Sequence, residues 1–117
     1  METDLNIKIQ TQEKVSVLEL SGDLDAFTCV KLHDTIIDIT NDGVLSLIIS
    51  MAKIKYIDSS GLGTLVGGLR RISELEGTLA LCGASPQVRK VFDITGLSRV
   101  FQLYESREEA LSNMDKD

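Results

Sequence analysis

The chain reads as an α/β protein, a mixed and mostly parallel sheet of about four to five strands packed with about four helices. Three observations carry that expectation. After an opening pair of short apolar segments, strand-length runs alternate with segments of helical period. The run Val44 to Ile49 is nearly all apolar, the pattern of a central strand covered on both faces. Turn residues separate the runs: Gly22-Asp23, Asn41-Asp42-Gly43, Gly77 and Gly96. A chain of 117 residues is expected to form one domain over 1–117 with a real core. Only the tail after about Asn113 looks loose.

In order, Leu5, Ile7 and Ile9 alternate with polar residues and predict a half-buried strand. Val15, Val17, Leu18 and Leu20 predict a second, after a turn around Gln12-Glu13. Gly22-Asp23-Leu24-Asp25 should break it. A helix is expected from about Phe27 to Ile39, with Asp25 or Thr28 near its start and Asn41-Asp42-Gly43 at its end. The strand Val44 to Ile49 follows, then a short link from Met51 to Ile57, then a helix from Ser59 to about Glu74. Thr78 to Cys82 is the next strand. Ser85-Pro86 supplies a cap and a first-turn proline for a helix whose inner face is Val88, Val91 and Phe92, stopped by Gly96. Val100 to Tyr104 is the last strand, and Ser106 with Glu109 forms a capping box for a terminal helix.

Composition excludes several classes of function. Net charge is −6, and no Lys/Arg stripe exists, which disfavours nucleic acid and anionic membrane surfaces as partners and favours a partner with basic side chains. No run of 18 or more apolar residues predicts a membrane span, and the N-terminus lacks a secretory pattern. Cys29 and Cys82 show no metal-ligand or redox spacing and read as small buried hydrophobes, natural in a reducing cytoplasm. No cofactor or metal is expected.

The stretch Asp58-Ser59-Ser60-Gly61-Leu62-Gly63 stands where an apolar strand gives way to a helix. Loops beyond the carboxyl ends of strands are the usual binding sites of such sheets. Asp58 or Ser59 can cap the helix, because a side-chain oxygen satisfies first-turn amides. A phosphate on either serine would add roughly two negative charges there, partly stabilised by the helix start and repelled by Asp58. Leu62, Leu65, Val66, Leu69 and Ile72 form the stripe expected to face the core. Ser60, Thr64, Gly67, Gly68 and Arg71 lie opposite, with Gly63 at the margin. Each interior glycine costs about 1 kcal/mol against alanine, so several in one helix need a close neighbour. Their place away from the apolar stripe favours a partner protein over another element of the chain.

Enzymatic readings find little support. A serine nucleophile needs a base, and the single histidine, His33, lies on the first helix. Gly61-Leu62-Gly63 fails the dinucleotide spacing, because the next glycine is Gly67 and no acid ends the following strand. Asp23 and Asp25 read as a turn and a helix start rather than as a catalytic pair.

These motifs, in this order and spacing, resemble the STAS domain, specifically its stand-alone bacterial anti-sigma factor antagonists. The resemblance spans roughly Leu5 to Leu111. It rests on Gly22-Asp23-Leu24-Asp25, on Tyr56-Ile57-Asp58-Ser59-Ser60-Gly61-Leu62-Gly63, on Leu81-Cys82-Gly83 with Ser85-Pro86, and on Phe92-Asp93-Ile94-Thr95-Gly96-Leu97. One departure is Ser50, where many relatives carry Asp or Asn near the end of the central strand. The resemblance implies a STAS-like fold and a partner switch rather than an enzyme. Unphosphorylated protein would bind an anti-sigma factor that is also a serine protein kinase, and so free a sigma factor. Phosphorylation at Ser59 would block that binding, and a serine phosphatase would reset it. Asp25 is implied to meet a basic group on the kinase. Asp23, Asp58, Ser60, Gly61, Gly63, Thr64 and Gly67 would complete the contact. The same residues would serve a switch with an output other than a sigma factor. A different alternative is a nucleotide- or small-ligand-binding domain that uses the Gly61–Gly63 helix start.

Overall fold

The computed structural model describes residues 4–114. A five-stranded sheet in the order β1-β2-β3-β4-β5 is formed by Leu5–Gln12, Val15–Leu24, Ser46–Ile57, Thr78–Cys82 and Gln102–Tyr104. The β1–β2 hairpin is antiparallel and the remaining pairings are parallel. Four α-helices accompany it among the described residues: α1 Cys29–Asn41, α2 Ser59–Glu74, α3 Pro86–Thr95 and α4 Arg107–Met114. A short 3-10 turn spans Leu97–Arg99.

Alternation along each strand sends neighbours to opposite faces. Leu18, Leu20 and Ile49 join Leu32 and Ile36 of α1, Leu65 and Ile72 of α2, and Phe92 of α3 in the main core. Val15, Val17, Ile48 and Cys82 point the other way and are covered by Ala110 of α4. Phe92 and Phe101 pack edge to face, with ring centroids 5.8 Å apart.

The locally encoded boundaries stand as expected. Ser85 Oγ accepts from Val88 N at 3.2 Å, Gly96 ends α3, and Ser106 Oγ accepts from Glu109 N at 3.0 Å. Several others differ. The second strand does not break at Gly22 but runs through Leu24, with irregular register around Ser21 to Asp23. Gly22 has φ +119, and a Cβ there would stand 2.2 Å from Asp4 O, so this glycine lets β1 and β2 close together at the bulge. The expected link Met51 to Ile57 is strand as well. Met51, Ile54 and Ile57 are buried while Lys53, Lys55 and Tyr56 are exposed, and a register shift beside Tyr56 hides the alternation. Helix α1 begins two residues later than Phe27. Ile9 is half exposed although its cross-strand partner Leu18 is buried, because β1 is an edge strand of the sheet, and Val100 belongs to the turn before β5. Cys29 is only half-buried, whereas Cys82 is buried. Helix α4 continues to Met114. The rest of the tail expected to be loose lies outside the described residues.

Candidate functional site

Because β3 is long, Asp58 follows it directly and α2 starts at once. Asp58 N donates to Leu24 O at 3.2 Å, which ties the end of β3 to the end of β2. Asp58 is the N-cap in extended conformation, and its Oδ1 accepts from Gly61 N at 3.0 Å. Its carbonyl accepts from Leu62 N at 2.9 Å. The capping role thus belongs to the carboxylate, the stronger acceptor for helix-start amides. Ser59, one residue on, is exposed, and Ser60 is half-buried.

The other residues of the expected surface divide. Gly63 and Gly67 are exposed, and a Cβ at either would meet nothing within 4 Å. Thr64 is half-buried and donates its hydroxyl to Ser60 O at 3.0 Å. Gly61 and Gly68 are buried: a Cβ would lie 2.6 Å from Leu24 O at the first and 2.9 Å from Ile36 Cδ1 at the second. These two glycines serve close packing within the chain, β2 against α2 and α1 against α2.

Asp23 is half-buried beside the hairpin, its amide donating to Asp4 O at 3.0 Å and its carbonyl accepting from Thr28 Oγ1 at 2.7 Å. Asp25 is buried, at 7% exposure. Its Oδ1 accepts from Phe27 N at 2.9 Å, from Thr28 N at 3.0 Å and from Thr28 Oγ1 at 3.2 Å. Two amide donors on one carboxylate oxygen, with the single Thr28 hydroxyl proton shared between it and the nearer Asp23 O, build the turn that leads into α1. Phe27, expected as the start of the first helix, lies in the turn before it and is 86% exposed. The signal was there: the inner stripe of α1 is Thr28, Leu32, Ile36 and Thr40, and Phe27 falls beside it.

Between α1 and α2 lies a cleft of ≈ 90 Å³ bordered by His33, Ile37, Thr64, Gly67 and Arg71. This is small beside the several hundred Å³ of typical ligand pockets. His33 stands at the surface next to Asp34, at 3.3 Å. Arg71 crosses from α2 to α1, donating to Thr40 Oγ1 and Asn41 Oδ1, each at 2.6 Å. The Gly61 amide is engaged by Asp58 and the residue is buried against Leu24, so Gly61-Leu62-Gly63 does not frame an open phosphate cradle. Among the described residues no three His, Cys, Asp or Glu side chains gather as a metal site, and no helix is long and apolar enough to cross a membrane. Glu19 and Cys82 titrate away from their ordinary values. Burial pushes the Cys82 thiol up, against a hydrogen bond from Ser50. Hydrogen bonding to Lys53, with its charge, lowers the Glu19 carboxyl.

The family model described as STAS domain matches residues 6–110. A protein named anti-sigma-B factor antagonist, from Staphylococcus aureus, is 30% identical over 105 residues, covering 90% of this chain and 97% of the relative. The crystal structure of an anti-sigma factor antagonist from Mycobacterium paratuberculosis superposes with a TM-score of 0.88 at 24% identity, covering 95% of this chain and 94% of that one. The Bacillus cell fate determinant SpoIIAA in its phosphorylated form superposes with a TM-score of 0.73 at 26% identity, covering 92% and 98%. The chain belongs to the STAS domain family, and its fold is that of the family's anti-sigma factor antagonists.

Proposed function

We propose that this chain is an anti-sigma factor antagonist working as one cytoplasmic domain, a phosphorylation-controlled binding protein and not a catalyst. Unphosphorylated, it binds an anti-sigma factor that is also a serine kinase, and the sigma factor held by that kinase is released. Phosphorylation of Ser59 ends the binding, and a serine phosphatase restores it. The observation that carries this reading is the separation of duties at the start of α2: Asp58 caps the helix, and the adjacent Ser59 hydroxyl is left exposed. The names of the relatives, one of them solved in a phosphorylated form, support the same reading.

The physical mechanism is local. A kinase acting on Ser59 must hold its nucleotide against this hydroxyl, and nucleotide phosphates are anionic. A phosphate of nearly two charges on Ser59 faces that anion and the Asp58 carboxylate, while adding bulk where the surfaces met. Ser60, Gly63, Thr64, Gly67 and Asp23 form the contact surface. Gly61, Asp25 and Asp58 act from beneath it by shaping the helix start and the turn.

The test is capture from native lysate with full-length Ser59→Ala as bait, then incubation of each retained protein with ATP and the wild-type chain. A retained protein should phosphorylate Ser59 and lose its grip on the product. Ser59→Asp should bind it at least about tenfold more weakly than Ser59→Ala, with unchanged circular dichroism. Equal binding by the two variants, or modification elsewhere with Ser59 silent, would overturn the switch.

A further inference from the structure

Accepting that reading of Ser59, we infer that Phe27, with Val30 one helical turn further on, is the apolar anchor by which the kinase docks on this chain. Asp25 is the positioning residue that holds the anchor out.

Isolated apolar side chains at a protein surface are ordinary. Three observations set this pair apart. First, Phe27 is 86% and Val30 57% exposed, the one in the turn that leads into α1 and the other in the first turn of that helix. Second, the ring is presented from a fastened turn. Phe27 N and Thr28 N both donate to Asp25 Oδ1, Cys29 N donates to Asp25 O at 2.9 Å, and the Thr28 hydroxyl reaches back to Asp23 O. With the backbone fixed before binding, only the rotamers of the ring are left to be ordered on docking, which favours its use as an anchor. Large aromatic side chains dominate the energetics of protein interfaces.

Third, the anchor adjoins the phosphate acceptor. Leu24 O accepts from Asp58 N, and Leu24 touches Gly61, so the end of β2 abuts the first turn of α2. Phe27 follows Leu24 by three residues, at most about 11 Å of chain. A partner burying about 800 Å² on this side covers a disc about 16 Å in radius. A footprint of that size centred near the joined ends of β2 and β3 is wide enough to take in both Ser59 and Phe27. Charge defines the rest of that kinase surface. Asp23 stands in the strand end before Phe27 with Asp4 bonded to its amide, Asp34 follows Val30 by one turn of α1, and Asp58 is bonded to Leu24, while Lys31 on the same helix is tied to Leu5 O at 2.7 Å. The fitting partner carries an apolar socket with a basic rim.

This assignment gives Asp25 a role different from direct pairing with a basic group of the kinase. An asparagine at position 25 keeps the oxygen that accepts from Phe27 and Thr28 but removes the charge.

The experiment places photoreactive benzoylphenylalanine at Phe27, or at Gly63 as a control, in the full chain in its native cells. The adduct formed at position 27 should contain the protein that phosphorylates Ser59 in vitro, and Ser59→Asp should abolish it. Titration of that purified kinase should show Phe27→Ala binding about 30-fold more weakly, with Phe27→Leu recovering most of the loss and melting temperatures unchanged. Asp25→Asn should bind nearly as wild type, whereas Asp25→Ala should lose affinity as Phe27→Ala does. An adduct from Gly63 with none from Phe27, or a Phe27→Ala dissociation constant within twofold of wild type, overturns the anchor and leaves the switch standing. Loss of affinity in Asp25→Asn equal to that in Phe27→Ala overturns the positioning role. Absence of a Ser59-phosphorylating adduct from both positions overturns the functional reading, and the anchor with it.

Discussion

Helix α2 carries two pairs of glycines with opposite surroundings. Gly61 and Gly68 face inward, where a methyl group would meet Leu24 O or Ile36 Cδ1 at under 3 Å. Gly63 and Gly67 face outward onto open space. All four weaken the helix by the same intrinsic amount, about 1 kcal/mol each. The inner pair offsets that loss by letting β2 and α1 approach the helix. The outer pair receives no such return from its own chain, and it lies on the face that carries Ser59 and Thr64. Unrepaid helix weakness on an exposed face is the mark expected of a surface shaped for another molecule rather than for stability.

The sharpest way to break this comparison is Gly61→Ala. The new Cβ would stand 2.6 Å from a backbone oxygen, which cannot swing aside as a side-chain end can. The helix start must lift from β2, straining the Asp58 N to Leu24 O bond. Overpacking of this kind costs about 3 kcal/mol. Urea unfolding should show that loss at unchanged slope, and a loss below about 1 kcal/mol would mean the contact is soft.

The outer pair should respond with the opposite sign. Gly63→Ala and Gly67→Ala fill open space and remove backbone freedom from the unfolded chain, so each should stabilise by about 0.5–1 kcal/mol. Binding to the proposed kinase partner should fall in the same variants, because methyl groups would then stand between that partner and the backbone. Thermal melting and titration together check this. A stability gain without any loss of affinity would remove these glycines from the contact surface.

The contrast between the pairs also marks where sequence reading stopped. Elements whose ends are encoded within a few residues were legible: Ser85-Pro86 to Gly96 for α3, Ser59 to Glu74 for α2, Thr78 to Cys82 for β4. Their caps and periodicity depend only on neighbours in the chain. The second half of β3 was not legible, because a register shift beside Tyr56 breaks the alternation a strand is recognised by. The site split along the same line. Asp58 as a helix cap was legible from local capping chemistry, whereas Ser59 was singled out as the acceptor through the family resemblance. The burial of Asp25 and the inward packing of Gly61 and Gly68 depend on β2 and α1 lying against α2. Gly61 and Gly63 differ by two positions, and nothing local distinguishes the one that meets Leu24 from the one that meets solvent.

The smallest effect is expected at Gly68, and it tests how the inner pair divides further. Its new Cβ would stand 2.9 Å from Ile36 Cδ1, the far end of a flexible side chain. Turning that end aside costs on the order of 1 kcal/mol, about what alanine returns in helix propensity. Gly68→Ala should therefore change stability by less than about 0.5 kcal/mol, although the position is buried. The cancellation can be exposed by combination. Ile36→Val deletes the Cδ1 atom that the new methyl would strike, so Gly68→Ala placed on Ile36→Val should recover close to the full helix gain of about 1 kcal/mol. A double-mutant cycle with no coupling between the two would show that the methyl meets some other neighbour. In that case Gly68 would act as Gly61 does, through contact with groups that do not give way.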